Sequence, residues 1–344
     1  MSQTRPASYV RGKRVLVTGA AGSVGAALSE RFAELGCSGL ILLDHFDHGL
    51  LDVAEAISKR HPNLQVVDLL CDVRDRERLA SVMERAAPDI VIHCAALKHV
   101  HLGERHPGEC VLTNLIGVRN AYEAALEAGA ERFLLVSTDK AAAPVCVMGA
   151  TKRLAELYLA NVAGDSAMQV KSVRFGNVMA SQGSVAPRFA AQIAADGPLQ
   201  VTHPQMKRFF MSSDEAVGLI VDVLAHDEAD TAVASYFMDM GEPMSILELG
   251  RKMIAESGRD IAIEFIGLRP GERLEEQLFD EFEMVTESAL RGIYRLTPNA
   301  SSLIGHDDIA ELEQMARVMD DAVVRQRVFA KVDGALGRQL SAVG

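Results

Sequence analysis

Six short apolar runs alternate with helix-length segments over the first half of this chain, and that alternation leaves few folds open. The runs are Arg14 to Thr18, Leu40 to Leu43, Gln65 to Leu70, Ile90 to Cys94, Phe133 to Val136 and Val170 to Phe175. Near-continuous apolar runs of this length read as strands buried on both faces. Between them lie Ser23 to Leu35, Leu50 to Arg60, Asp75 to Ala87, Val111 to Ala128 and Gly149 to Ala163. Strand–helix–strand units close by right-handed crossovers, so the expected architecture is α/β, a Rossmann-type doubly wound parallel sheet.

After Phe175 the rhythm loosens, with turn signals at Gly183, Gly197-Pro198, His203-Pro204, Gly241-Glu242-Pro243 and Arg269-Pro270-Gly271. The expected organisation is a dinucleotide-binding core with the catalytic residues over 1–178. A smaller C-terminal substrate-binding lobe follows over 179–305, with elements returning to the core. A helical tail covers 306–344, where Ile309, Leu312, Met315, Val318 and Met319 keep a helical period.

Several function classes are disfavoured by composition. The charge of 35 basic against 47 acidic residues, net −12, opposes binding to nucleic acid or anionic membranes. An anionic small substrate would need a local cluster of arginines. The five cysteines (Cys37, Cys71, Cys94, Cys110 and Cys146) contain no Cys-x-x-Cys pair, which suits packing roles in a reducing cytosol. No apolar run reaches the ~20 residues that span a bilayer, and Met1 to Tyr9 lacks a signal-peptide core. A cytoplasmic protein without membrane insertion is expected.

The segment Val15-Leu16-Val17-Thr18-Gly19-Ala20-Ala21-Gly22-Ser23-Val24-Gly25 runs from a strand through a glycine turn into a helix. In that context Gly19, Gly22 and Gly25 let backbone approach a pyrophosphate, and Ser23 and Val24 open a helix whose N–H groups favour an anion. Asp44 ends the second strand, nineteen residues beyond Gly25, where a carboxylate binds ribose hydroxyls and repels a 2'-phosphate. NAD is therefore favoured over NADP, against the alternative of a solvated loop aspartate. Asp72 and Val73 close the third strand, where they meet the adenine or cap the next helix. Ala95 and Ala96 keep side chains small where the fourth strand passes the cofactor.

Two further runs carry chemistry, Val136-Ser137-Thr138-Asp139-Lys140 and Met148-Gly149-Ala150-Thr151-Lys152. Adjacent Asp139 and Lys140 offer an acid and a base if burial moves them toward neutrality. Lys152 lies four residues after Met148, on the same helical face. His93, His99, His101 and His106 lack the spacing of a metal site, and none is expected.

With these runs, the chain resembles the extended short-chain dehydrogenases, and more closely the CapD-like polysaccharide-biosynthesis proteins, UDP-N-acetylglucosamine 4,6-dehydratases. The resemblance rests on the glycine motif, Ala95-Ala96-Leu97-Lys98-His99-Val100, the Thr138 and Met148 runs, Val173-Arg174-Phe175-Gly176-Asn177-Val178, Val201-Thr202-His203-Pro204 and Leu268-Arg269-Pro270-Gly271-Glu272-Arg273. Long members carry transmembrane helices before the glycine motif, so a soluble version is expected.

The resemblance implies that Met148 replaces a catalytic tyrosine, as in a branch associated with retention at C5. A methionine has no proton to exchange, and it either shapes the sugar pocket or fills core. The implied roles are Asp139 as acid for water loss, Lys140 as base at C5, Thr138 as hydroxyl donor to the sugar and Lys152 at the nicotinamide ribose. The base for the C4 hydroxyl stays open between Lys152, Asp139 and a water.

Lys98, His99 and Asn114 are expected at the sugar side, with Asn177, Arg208, Arg269 and Glu272, and less strongly Arg188, holding a diphosphate. Two stretches depart from the family pattern, His101-Leu102-Gly103-Glu104 and Met179-Ala180. The expected substrate is a nucleotide sugar, UDP-N-acetylglucosamine, and the expected assembly a homo-oligomer through two helices that include Gly149 to Ala163. The rival readings are a nucleotide-sugar C4 epimerase or ketoreductase, and an inactive NAD-binding sensor.

Overall fold

The structure is a computed structural model, and it describes residues 4–164, 166–179, 181, 183–227, 233–298 and 304–337. Ala180 and the end of the expected tail, from Arg338, lie outside the described residues. The first six strands are β1 (Arg14–Thr18), β2 (Gly39–Asp44), β3 (Gln65–Leu70), β4 (Ile90–His93), β5 (Arg132–Val136) and β6 (Gln169–Arg174). They pair in parallel in the order β3-β2-β1-β4-β5-β6, so chain direction along the sheet reverses between β1 and β4. Loops leave that switch point at the C-terminal ends of both strands, which is where an open α/β sheet binds its ligand.

The sequence runs match these strands to within a residue or so at each end, but Gln65 to Leu70, expected as a buried strand, is the sheet edge and only partly covered; the inner strands are covered on both faces and mostly apolar. All of β2 and β4 is buried, for example.

Three later strands extend the same sheet. Val233–Met238 adds in parallel beside β6, Ile293–Pro298 pairs antiparallel with it, and Glu283–Glu287 closes the edge. Between these returns sits a small lobe with its own core of Phe189, Ile193, Leu199, Val201, Met206, Ile246 and Ile261. Its helices are Val185–Ala194 and Ile246–Ser257.

One expected helix is interrupted. Val111 to Ala128 is observed as Pro107–Val111, a π-helical segment Leu112–Ile116 and Gly117–Glu127. Such widened turns redirect side chains and recur at functional sites. Here the turn buries Asn114 and brings Gly117 so close to Val73 that an added Cβ would lie 2.8 Å from its Cγ2.

The dimer face expected on the Gly149 to Ala163 helix is already covered. The helix is observed over Val147–Val162, and residues 147–159 are all buried within one chain. A C-terminal helix, Asp321–Leu336, packs Val324, Val328, Val332, Ala335 and Leu336 into the same core. A partner could dock there only by displacing it. Among the described residues, no helix is long and apolar enough to cross a membrane.

Candidate active site

Two adjoining clefts open at the switch point, sharing Gly19, Gly22, Cys94, Ala96 and Leu97. The first runs over Asp44, Asp72 and Val73, and the second over Lys98, Thr138, Lys140, Met148, Lys152 and Asn177. Together they form one trough across the switch point.

The glycine turn is required by its packing. Gly19 has φ +65°, a left-handed conformation that favours glycine, and an added Cβ would lie 2.6 Å from Ala95 N. On Gly25, a Cβ would lie 2.2 Å from the Gly19 carbonyl oxygen. The helix Ser23–Glu34 can therefore sit directly on the turn and aim its N-terminus into the trough.

Asp44 is buried at the end of β2, where Oδ2 accepts from Ala21 N at 2.9 Å and Oδ1 accepts from His45 N and Phe46 N at 2.8 and 3.0 Å. These bonds fix the carboxylate at the cleft wall, next to the glycine turn. Asp72 is gripped by Arg74, whose Nε and Nη2 donate to Oδ2 at 2.8 and 2.7 Å. Burial pushes its carboxyl up, but Arg74 outweighs burial and holds it below the usual carboxylate range.

Among the described residues, no group of three or more His, Cys, Asp or Glu side chains is placed to hold a metal ion. His93 lies inside β4 with Nδ1 3.0 Å from Thr18 Oγ1. Burial, helped by nearby Lys152, lowers its pKa to about 3, so the imidazole is neutral.

The catalytic run leaves β5 and turns at Asp139–Ala141. Lys140 Nζ donates to Asp139 Oδ1 at 3.0 Å, and Thr138 Oγ1 donates to the same oxygen at 2.9 Å. Asp139 is 1% exposed and its Oδ2 is buried without a hydrogen-bond partner. A second carboxylate, Glu276, lies 3.7 Å from Lys140 Nζ and 3.8 Å from Arg208 Nη2. Burial lowers the pKa of Lys140, but Asp139 and Glu276 outweigh it and raise the lysine above its ordinary value.

Lys140 thus rests as an ammonium. Moving one proton along the Lys140–Asp139 hydrogen bond yields a neutral amine beside a carboxylic acid, a base and an acid in contact.

Lys152 is the other buried lysine of the cleft. Its Nζ donates to Val136 O at 3.0 Å, and burial lowers its pKa to about 8, partly offset by Cys94 and Glu156. Met148 both lines the cleft and packs with Cys110, Cys146 and Val147, so the two readings of this residue describe different sides of one side chain.

Two expected ligands are placed otherwise. Asn114 does not line either cleft; its Oδ1 accepts from Leu97 N at 2.8 Å, and Nδ2 donates to Leu97 O and Thr151 Oγ1 at 3.1 and 3.3 Å. It ties the loop after β4 to the Met148 helix. Arg208 is buried, and its guanidinium donates to Lys207 O at 2.7 Å, Leu274 O at 3.2 Å and Arg273 O at 2.9 Å. Those carbonyls and Glu276 occupy the fork expected to hold a diphosphate.

Arg269 and Glu272 share one loop, with Glu272 Oε2 accepting from Arg269 N at 2.9 Å, and neither is among the residues lining the two clefts. Arg188 is brought beside them: burial first, then the charge of Arg269, lowers its pKa. Glu276 was missed because it stands in the polar run after the Pro270-Gly271 turn, where spacing does not show which glutamate turns inward.

The sequence model of the family described as "Polysaccharide biosynthesis protein" matches residues 15–298, leaving the C-terminal helices beyond it. The capsular polysaccharide biosynthesis protein CapD of Staphylococcus aureus is 39% identical over 288 residues, 82% of this chain and 48% of CapD. The chain spans about half the length of the two relatives at this identity. A UDP-glucose 4-epimerase of Rickettsia felis is 32% identical, with 90% of each chain covered. An inverting UDP-N-acetylglucosamine 4,6-dehydratase of Campylobacter jejuni is 31% identical, with 84% of each covered.

Among solved structures, Pen from Bacillus thuringiensis superposes with a TM-score of 0.77 at 30% identity, covering 84% of this chain and 89% of Pen. The motifs, the trough at the switch point and these matches agree: this chain belongs to the polysaccharide biosynthesis protein family.

Proposed function

We propose that this chain is an NAD-dependent nucleotide-sugar 4,6-dehydratase acting on UDP-N-acetylglucosamine. The product would be the UDP-4-keto-6-deoxy-N-acetylhexosamine with C5 configuration retained, for surface polysaccharide or glycan biosynthesis. The observation that carries this reading is the hydrogen-bonded Asp139–Lys140 pair, with Lys140 opening on the cleft that Lys152 also lines. Elimination from a sugar needs an acid at one carbon and a base at its neighbour, and this pair becomes both by one internal proton shift.

The trough fits the cofactor: the glycine turn would hold its pyrophosphate, fixed Asp44 its adenosine ribose, and Asp72 and Val73 its adenine end. When bound, NAD supplies a hydride acceptor at C4 and returns that hydride to C6. Lys152, neutral in part near pH 8, takes the C4 hydroxyl proton that Met148 has no group to accept. Lys140 as amine takes the C5 proton, which the C4 ketone has made acidic, and later returns it to the same face. Asp139 as acid protonates the departing C6 hydroxyl. Thr138 steadies the sugar oxygen, with Lys98 and His99 lining its side of the cleft.

Arg188 and Arg269, with Glu272 orienting the loop and Asn177 on the cleft wall, would hold the diphosphate. Arg269→Ala and Arg188→Ala are expected to raise KM about ten- to a hundredfold with kcat nearly unchanged, since a charged hydrogen bond is made equally to substrate and transition state. Steady-state kinetics at constant ionic strength checks this.

The match to an epimerase supports a second reading, a nucleotide-sugar C4 epimerase. Mass spectrometry of purified protein with UDP-N-acetylglucosamine separates the two. Dehydration gives a product lighter by one water; a product of unchanged mass, or no turnover, removes the dehydratase reading.

A further inference from the structure

The C-terminal helices are His306–Val318 and Asp321–Leu336, and the second reaches the active site through Phe329, packed on the Cys110, Cys146, Val147 and Met148 cluster, and through an ion pair. Arg325 Nε donates to Glu104 Oε2 at 2.9 Å, and Glu104 Oε1 accepts from Val147 N at 2.6 Å. Val147 is the first residue of the helix carrying Met148 and Lys152. Glu104 therefore satisfies an amide that a helix start leaves open, and places negative charge at the positive end of the dipole. Its side chain is 7% exposed, a burial at which a carboxylate needs a counter-charge. Arg325 supplies it, laid over the Phe329 ring 4.9 Å from the centroid.

Both halves of the catalytic machinery rest on this helix start. An added Cβ on Gly149 would lie 2.2 Å from the Lys140 carbonyl oxygen, so the Asp139–Ala141 turn and the helix are in backbone contact. The loop bearing Arg269 and Glu272 meets the same place. A Cβ on Gly271 would lie 3.0 Å from Glu104 Cγ and 2.9 Å from Cys146 Cβ. Displacing Glu104 would thus move Lys140, Lys152 and the anion-binding loop together.

We propose that Glu104 and Arg325 are positioning residues for the reaction, through which the C-terminal helix pair braces the start of the catalytic helix. Arg325 and the helix pair lie beyond the region matched by the family, residues 15–298, whereas Glu104 lies within it. The inference rests on the dehydratase reading for its kinetic consequence but not for its structural one.

The test uses the full chain with Glu104→Gln, Arg325→Met, the double variant and Arg325→Lys. Turnover of UDP-N-acetylglucosamine and hydrogen–deuterium exchange of amides 147–150 are read on the same samples. Each single change is expected to lower kcat about tenfold or more, since small misplacements of reacting groups cost that much. The double variant should be no worse than either single one, and Arg325→Lys should recover most of the loss. Amide exchange at 147–150 should rise in step.

Unchanged exchange in Glu104→Gln and Arg325→Met overturns the brace, whether or not the protein turns over this sugar. So do normal kcat values, or losses that multiply in the double variant. If the unaltered protein gives no turnover while exchange still rises, the brace stands and the dehydratase reading falls.

Discussion

Asp139→Asn is expected to lower dehydration of UDP-N-acetylglucosamine about 10²- to 10⁴-fold, the usual worth of a positioned acid. Asparagine keeps the shape and can still meet Lys140 and Thr138, but it has no proton to give the C6 hydroxyl. Without Asp139 to take its proton Lys140 stays an ammonium, so substrate recovered from deuterated water should carry little deuterium at C5 and little product should form. Lys140→Met should abolish both. An epimerase or a sensor has no use for an acid at Asp139, and in either case Asp139→Asn would leave turnover unchanged. Product analysis and proton NMR of the recovered sugar decide between these outcomes.

The second large effect is at Lys152. Its neutral form is required if it takes the C4 hydroxyl proton, and burial sets its pKa at about 8. Below that pH, kcat/KM should rise tenfold per unit and then level off; a flat profile between pH 6 and 9 would exclude Lys152 as the base. Lys152→Met should cost about 10²- to 10⁴-fold in kcat.

The same substitution should stabilise the protein. A lysine whose folded pKa lies below its unfolded value binds fewer protons when folded, so stability rises with pH between about 8 and about 10.4. Below about 8 the penalty is fully present, worth about 3 kcal/mol from the shift. Methionine removes it but leaves the Val136 carbonyl without its donor, which costs about 1 kcal/mol. Denaturant unfolding at neutral pH should show a gain of about 2 kcal/mol in a nearly inactive protein. A loss of stability would mean that the buried ammonium is better compensated than its surroundings indicate.

The parallel sheet was legible because its signal is redundant. The inner strands β1, β2, β4 and β5 are covered and mostly apolar, so they could be read one by one, and the glycine turn fixed the polarity of the first crossover; β3 and β6 carry Gln65, Asp68, Lys171 and Arg174 and gave a weaker signal. The cleft was legible in the same way: Gly19, Asp44, Thr138, Lys140 and Lys152 lie at strand ends or helix starts, where position in the fold follows from position in the element.

What the sequence hid depended on contacts between distant segments. Arg208 and Arg269 are both arginines in turn-rich segments, and only tertiary packing turns the first onto backbone carbonyls. Glu276 and Glu104 look like surface charges, but packing buries both against the catalytic turn and helix. The helical tail could be read as helix, but not that Asp321–Leu336 covers the face expected to dimerise. Asn114 was expected at the sugar, and the π-helical turn that aims it at Leu97 has no periodic signature.

The most direct test of the account is NMR of the product formed from UDP-N-acetylglucosamine in deuterated water. The account predicts a 4-keto-6-deoxy sugar lighter by one water, with the substrate's C4 hydrogen found at C6 and the C5 configuration unchanged. A C4 epimer with its C6 hydroxyl intact would contradict it.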